Sequence, residues 1–198
     1  IMNMQLPNNP ALVIIDLINE LVHLDGKLSE PMQSYLRTHN TLKKANLAIT
    51  WARDHKTPVI HVKVGFSKNY PECPKQSPVF SKAPEYGALQ LNHWSTEFHE
   101  DVDVSPNDIV VIKHRISAFY GTDLNTILSA LGINHLLLCG VSTNMAVELT
   151  AREAHDRDFK VTVIEDACGT SSDEHHKASL MNIERVAQII TTDTLTES

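Results

Sequence analysis

At 198 residues the chain is long enough for one domain with a full core. A formal net charge of −7 and a pI near 5.8 argue against nucleic acid or an acidic membrane surface as its main partner. Its 42% hydrophobic and 21% charged residues are ordinary for a globular protein. No apolar run approaches membrane-spanning length and no basic-then-apolar leader opens the sequence, so a soluble, cytoplasmic protein is expected.

The first predicted element is Ala11-Leu12-Val13-Ile14-Ile15, a continuous run rich in β-branched residues after Pro10. Such a run reads as a strand buried on both faces of a parallel sheet, and it ends at Asp16. A helical region follows from about Pro31 to His55, where Leu36, Leu42, Ala45, Ile49 and Ala52 fit one apolar face. Residues 58–64 read as the second strand. Residues 65–106 then lose all regular periodicity and are rich in proline and aromatic residues, among them Tyr70, Phe80, Tyr86, Trp94 and Phe98. A connection of this length reads as a lid or pocket wall inserted into the domain, or as a loop that packs its aromatics on the domain edge.

Asp108-Ile109-Val110-Val111-Ile112 is the third predicted strand, taken as buried and ending at Lys113. Thr122 is placed to cap a helix that runs through Leu131 and closes at Gly132. His135-Leu136-Leu137-Leu138-Cys139 is the fourth strand. It stops at Gly140, and a helical pattern starts at Asn144 and continues to about Asp156. The turn between them offers backbone N–H groups that a helix start leaves without intrahelical partners. Residues 159–164 form a fifth strand that ends at Glu165-Asp166. Ser171 and Glu174 have capping-box spacing for another helix, and residues 186–190 are a sixth strand. Strands alternating with helices predict one α/β domain over residues 1–198, with a mainly parallel sheet of about six strands.

Ligand sites in such sheets lie at the carboxyl ends of the strands. Asp16, Lys113 and the turn 140–146 all end strands there. An Asp desolvated at a strand end suits acid–base work, and a Lys beside it would hold a carboxylate or an oxyanion. The same two residues read as readily as a plain ion pair closing the strand ends. Three cysteines in no framework spacing (Cys73, Cys139 and Cys168) fit reduced thiols.

Three blocks together, residues 13–19, 112–124 and 139–148, resemble the isochorismatase-like hydrolase superfamily, and Glu165-Asp166-Ala167-Cys168 with His176 also fits. The resemblance covers nearly the whole chain in order. It implies a Rossmann-like three-layer α/β/α sandwich assembled as a homodimer or homotetramer and acting on a small molecule. In amide-cleaving members the catalytic residues are an Asp, a Lys and a Cys. These positions carry over to Asp16, Lys113 and Ala146, so the nucleophilic sulfur is missing here. The resemblance places the oxyanion hole at the backbone N–H groups of Ser142 and Ala146, and a non-proline cis peptide at Val141–Ser142.

Trp94, Arg115, Phe119 and Tyr120 are the candidate pocket walls, with Tyr86 beside them. No cofactor is expected. No metal is expected either, because His61-Val62-Lys63 stands where related enzymes carry an Asp-x-His ligand pair and a Lys is no zinc ligand. Ser142 and Thr143 are near the turn, but no His is seen in the sequence to activate them. Three readings follow: a C–N hydrolase of small amides or ureides with its nucleophile replaced; a vinyl-ether hydrolase that needs only Asp16 as acid; and a non-catalytic small-molecule binding protein.

Overall fold

Residues 8–197 are described by a computed structural model. Six parallel strands make one sheet: Pro10–Ile15 (β1), Val59–Val64 (β2), Ile109–Lys113 (β3), His135–Val141 (β4), Lys160–Gly169 (β5) and Gln188–Ile190 (β6). Their order is β3-β2-β1-β4-β5-β6. The chain moves outward one way from β1 and then returns to move the other way from β4, so the direction of winding reverses between these two strands. That reversal opens a crevice at their carboxyl ends.

The helices are Asn19–Val22 (α1), Glu30–Thr38 (α2), Thr41–Asp54 (α3), Ala83–Tyr86 (α4), Leu124–Ala130 (α5), Glu148–Asp156 (α6), Asp173–Ile183 (α7) and Thr192–Thr196 (α8). Right-handed crossovers put α3 on one face and α6 on the other. Ala45, Ala48, Ile49 and Ala52 of α3 are fully buried against the sheet, and Ala151 and Ala154 of α6 are buried opposite them. The two faces meet at β1, where residues 11–15 have essentially no exposure. Each large aliphatic side chain buried in this way stabilises the fold by roughly 1.5–3 kcal/mol.

The sequence reading differs from the structure at several points. The single helix expected over 31–55 is two helices, broken at Asn40, whose φ of 53° lies in the left-handed region. Asn tolerates that conformation well, so the break needs neither Gly nor Pro. The third strand is an edge strand with Val110 and Ile112 exposed, not buried on both faces. β5 runs five residues past Ile164, and the short helices α1 and α8 were not foreseen. The cap of α7 is Ser172, whose hydroxyl accepts from the His175 N–H. Ser171 instead bonds the His175 ring.

The 65–106 segment folds onto the sheet's end through a small core of its own. Phe66, Phe80, Ala83, Ala88 and Leu89 pack there with Ile18 and Val64. Glu20, buried at the start of α1, ties this segment down: its carboxylate accepts from Leu89 N–H at 2.9 Å and from Lys27 N–H at 2.7 Å. Among the described residues no helix is long and apolar enough to cross a membrane.

Candidate active site

Asp16 is the residue at which β1 ends. Its N–H still donates to Val62 O (2.8 Å), but its φ of 58° swings the chain out of the sheet. Its carboxylate reaches across the end of β2, where Oδ1 accepts from Val64 N–H at 2.7 Å. Val64 is paired in register with Lys113, the last residue of β3. Lys113 Nζ meets Asp16 Oδ2 at 2.9 Å and donates also to Arg115 O at 2.9 Å. Three strand ends therefore converge on one carboxylate.

Asp16 is 3% exposed and Lys113 is 1% exposed. Burial pushes the Asp16 carboxyl above the ordinary carboxylate range, while the Lys113 ammonium and the Val64 N–H pull it back. The result is a held, desolvated carboxylate that is more basic than one in water.

The second half of the site comes from β4. Gly140 lies opposite Ile15, and a Cβ there would sit 2.1 Å from Ile15 O; its φ is 119°. Only glycine lets the two backbones close in this way, and the approach sets the following turn beside Asp16. The Val141–Ser142 peptide is cis. Residues Thr143–Val147 then form a π turn, with Ser142 O accepting from Met145 N–H and Val147 N–H, both at 3.2 Å, before α6 begins. The sequence reading had placed ordinary α-helix from Asn144. Widened turns of this kind recur at functional sites because they re-aim backbone groups.

A largely buried polar network, partly exposed at Glu165 and Asn144, holds the turn. His176 Nε2 lies 3.1 Å from Glu165 Oε2 and its Nδ1 lies 2.9 Å from Thr143 Oγ1. With Nε2–H donating to the carboxylate, Nδ1 accepts from the Thr143 hydroxyl. Ser179 Oγ donates to Thr143 O (3.1 Å), and Thr170 Oγ1 donates to Asn144 Oδ1 (2.8 Å). A histidine is thus within reach of Thr143 after all, contrary to the sequence reading. Thr143 has no exposure, however, and its hydroxyl is spent inside the protein. The network positions the turn.

Asp16, Lys113, Ser142 and Ala146 line one cavity of about 160 Å3. Its walls are apolar: Leu21, Leu28 and Met32, with Val79, Phe80 and Leu89 from the inserted segment. Ile116 and Met145 also line it. A larger cleft of about 550 Å3 between α2, α3 and residues 99–101 contains none of the strand-end groups.

The four residues proposed as pocket walls lie elsewhere. Trp94 is 45% exposed and packs its ring edge-on to His23 at 4.9 Å. Phe119 is buried, stacked on Phe159 at 6.0 Å and beneath the Arg157 guanidinium. Arg115 donates to Glu72 O (2.8 Å) and His114 O (2.6 Å), and with the exposed Tyr120 it borders a neighbouring depression. Tyr86 is also exposed. Residue type (aromatic rings and one guanidinium) singled these residues out, but packing decided where they went. The aliphatic wall on α1, α2 and the turn between them was missed. Its one sequence signal is the apolar set Leu21, Leu28 and Met32 soon after Asp16.

None of the three cysteines lines the cavity. Burial pushes the Cys139 thiol up to about 12 and raises Cys168 and Cys73 as well, which makes all three poor nucleophiles. His61 Nε2 bonds Asp108 Oδ2 at 3.1 Å, and Lys63 Nζ donates to Thr96 O at 3.1 Å. Among the described residues no group of three or more His, Cys, Asp or Glu side chains is placed to hold a metal ion.

The family model described as the isochorismatase domain matches residues 10–194. The uncharacterized isochorismatase family protein YecD of Escherichia coli O157:H7 is 41% identical over 133 residues, covering 67% of this chain and 69% of that protein. The ureidoacrylate amidohydrolase RutB of Acinetobacter baylyi is 29% identical over 191 residues, covering 90% and 78%. Among solved structures, N-carbamoylsarcosine amidase from Thermoplasma acidophilum superposes with a TM-score of 0.75 at 28% identity, covering 93% of this chain and 97% of that one.

Proposed function

Because the chain belongs to the isochorismatase family of hydrolases, we propose that its cavity is a C–N hydrolase site for a small amide or ureide, with Ala146 at the position of the nucleophile. One observation carries this reading: the buried Asp16–Lys113 pair opens onto the same cavity as Ala146 and Ser142. Two relatives whose names describe amide or ureide cleavage support it.

With a sulfur at position 146, the Asp16 carboxylate takes the thiol proton and the thiolate attacks the substrate carbonyl carbon. Negative charge gathers on the carbonyl oxygen and meets the backbone N–H groups of Ser142 and Ala146. The C–N bond then breaks, the amine leaving with the proton returned by Asp16. Water, deprotonated by Asp16, attacks the thioester and frees the acid. Lys113 fixes the Asp16 carboxylate and stabilises its charged form. Ala146 supplies a methyl group and no electron pair, so the chain as written binds and does not acylate. That methyl also favours a second reading, a protein that binds a small carbonyl compound without converting it.

The test is Ala146→Cys. The variant should release ammonia or amine from members of a panel of small amides and ureides, and Asp16→Asn in the same background should abolish the release. A folded Ala146→Cys protein that stays inert across the panel overturns the hydrolase reading.

A further inference from the structure

We infer that the amide taken by this cavity is uncharged and apolar on its acyl side: an aliphatic or single-ring carboxamide of about six to nine non-hydrogen atoms, with no second carboxylate. The inference rests on the C–N hydrolase reading of the site and deepens it.

Size comes first. A cavity near 150 Å3 holds a benzene molecule, and this one is about 160 Å3. The reacting amide must lie against Asp16 and the turn at 142–146, which leaves room inside for a short branched chain, while a single ring would extend to the half-exposed Val79.

Charge comes second. Asp16 and Lys113 are the charged side chains of the lining among the described residues, and they are paired with each other at 2.9 Å. The ammonium is further occupied by Arg115 O. A carboxylate on the substrate would therefore face Leu21, Leu28, Met32 and Phe80 with no unpaired cation to meet it, and burying an unpaired charge is strongly unfavourable.

The nearby guanidinium groups are otherwise engaged. Arg115 is bonded to Glu72 O and His114 O, and Arg152 pairs with Glu148 at 2.9 Å. An apolar acyl group, by contrast, gains from every wall it covers. The carbonyl and amine ends find their polar partners at the base, so orientation and selectivity come from different parts of the same cavity.

The experiment uses the chain as it stands, with Ala146, so that binding is read without turnover. Benzamide, isobutyramide and succinamate, the half-amide of succinic acid, are titrated by calorimetry or ligand-observed NMR. The two neutral amides should bind saturably and at least tenfold more tightly than succinamate. Val79→Arg, which sets a cation at the half-exposed mouth, should narrow that ratio by strengthening succinamate alone. Equal affinities, a preference for succinamate, or no saturable binding of either neutral amide overturns the inference.

Turnover by Ala146→Cys separates the two readings. Preferential cleavage of succinamate overturns the inference and leaves the hydrolase reading standing. A variant that binds neutral amides selectively and cleaves none of them overturns the hydrolase reading and leaves the ligand class standing.

Discussion

Replacing Lys113 by Met removes the ammonium from the Asp16–Lys113 pair and leaves a carboxylate at 3% exposure with one remaining partner, the Val64 N–H. Breaking a buried pair from one side costs about 3–5 kcal/mol, because the surviving charge is uncompensated. Asp16 can escape part of that cost by taking a proton. Burial already raises its carboxyl, and Lys113 is the chief influence pulling it down, so the variant's carboxyl rises further. A carboxyl raised in the folded state binds its proton more tightly there than in the unfolded chain. The deficit of Lys113→Met is therefore small near pH 4, grows as pH rises through the folded value, and levels off above it. At low pH about 1 kcal/mol should remain for the lost bond to Arg115 O.

The double variant Asp16→Asn with Lys113→Met removes both charges while the Asn oxygen still accepts from Val64. It should recover most of the loss, to within about 1–2 kcal/mol of the parent, since exchanging a whole buried pair for neutral groups is close to neutral. Urea unfolding of the parent, single and double variants at about pH 4.5 and 8 measures every arm. A deficit that does not change with pH, or a double variant as unstable as the single, would refute the reasoning.

Gly140→Ala forces a Cβ to 2.1 Å from Ile15 O and onto a φ of 119°. It should cost more than about 3 kcal/mol and lower the melting temperature by roughly 6–12 °C; a shift under about 2 °C in a thermal scan would show that the strands can part cheaply. His135, buried between Thr162 Oγ1 and Asn8 Oδ1, has its pKa lowered from 6.5 to about 4, first by burial and then by Lys160. A depressed folded value means stability is intact above the unfolded pKa and is lost as pH falls toward 4. By pH 5 the loss should be about 2 kcal/mol, and His135→Gln should flatten that limb of the pH–stability curve. His176→Ala strands the Thr143 hydroxyl at zero exposure and should cost about 1–3 kcal/mol, whereas adding Thr143→Val should cost little more. Additive losses in that double-mutant cycle would mean the two side chains do not interact.

Continuous apolar runs made β1 and β4 legible, because a strand buried on both faces admits little else, and β-branched runs broken by single polar residues (His61 and Lys63 in β2, Thr162 in β5) made those two legible. The same signal misled at β3, where Ile109-Val110-Val111-Ile112 reads as buried although alternate residues face outward on an edge. Local sequence does not say which strand lies outermost. At the site, Asp16 and Lys113 were legible as strand-end residues, but their meeting depends on the register of Val64 with Lys113, which is a tertiary fact. The Thr143–His176–Glu165 network joins residues 33 and 11 positions apart and leaves no periodic trace. The cavity wall was the largest miss. Leu21, Leu28 and Met32 are unremarkable in composition, and only the path of the chain through α1 and α2 turns them toward Asp16.

Stability alone does not account for the polar base of the cavity. A buried ion pair is close to neutral against well-packed apolar side chains of the same volume, and Asp16 also holds a left-handed φ that a non-glycine residue adopts at some cost. Apolar or neutral side chains at positions 16 and 113 would spare the fold the buried charges, at the loss of the bonds to Val64 N–H and Arg115 O. What the pair supplies is a fixed, desolvated carboxylate on the same cavity as the 142–146 turn, a combination suited, on the proposed reading, to moving a proton beside a carbonyl group. On the proposed hydrolase reading, Ala146 takes away the attacking atom without touching either feature, since the proposed oxyanion donors belong to the main chain. On that reading binding and bond-breaking are separable at one position: the walls and the base would decide what enters, and residue 146 whether it reacts.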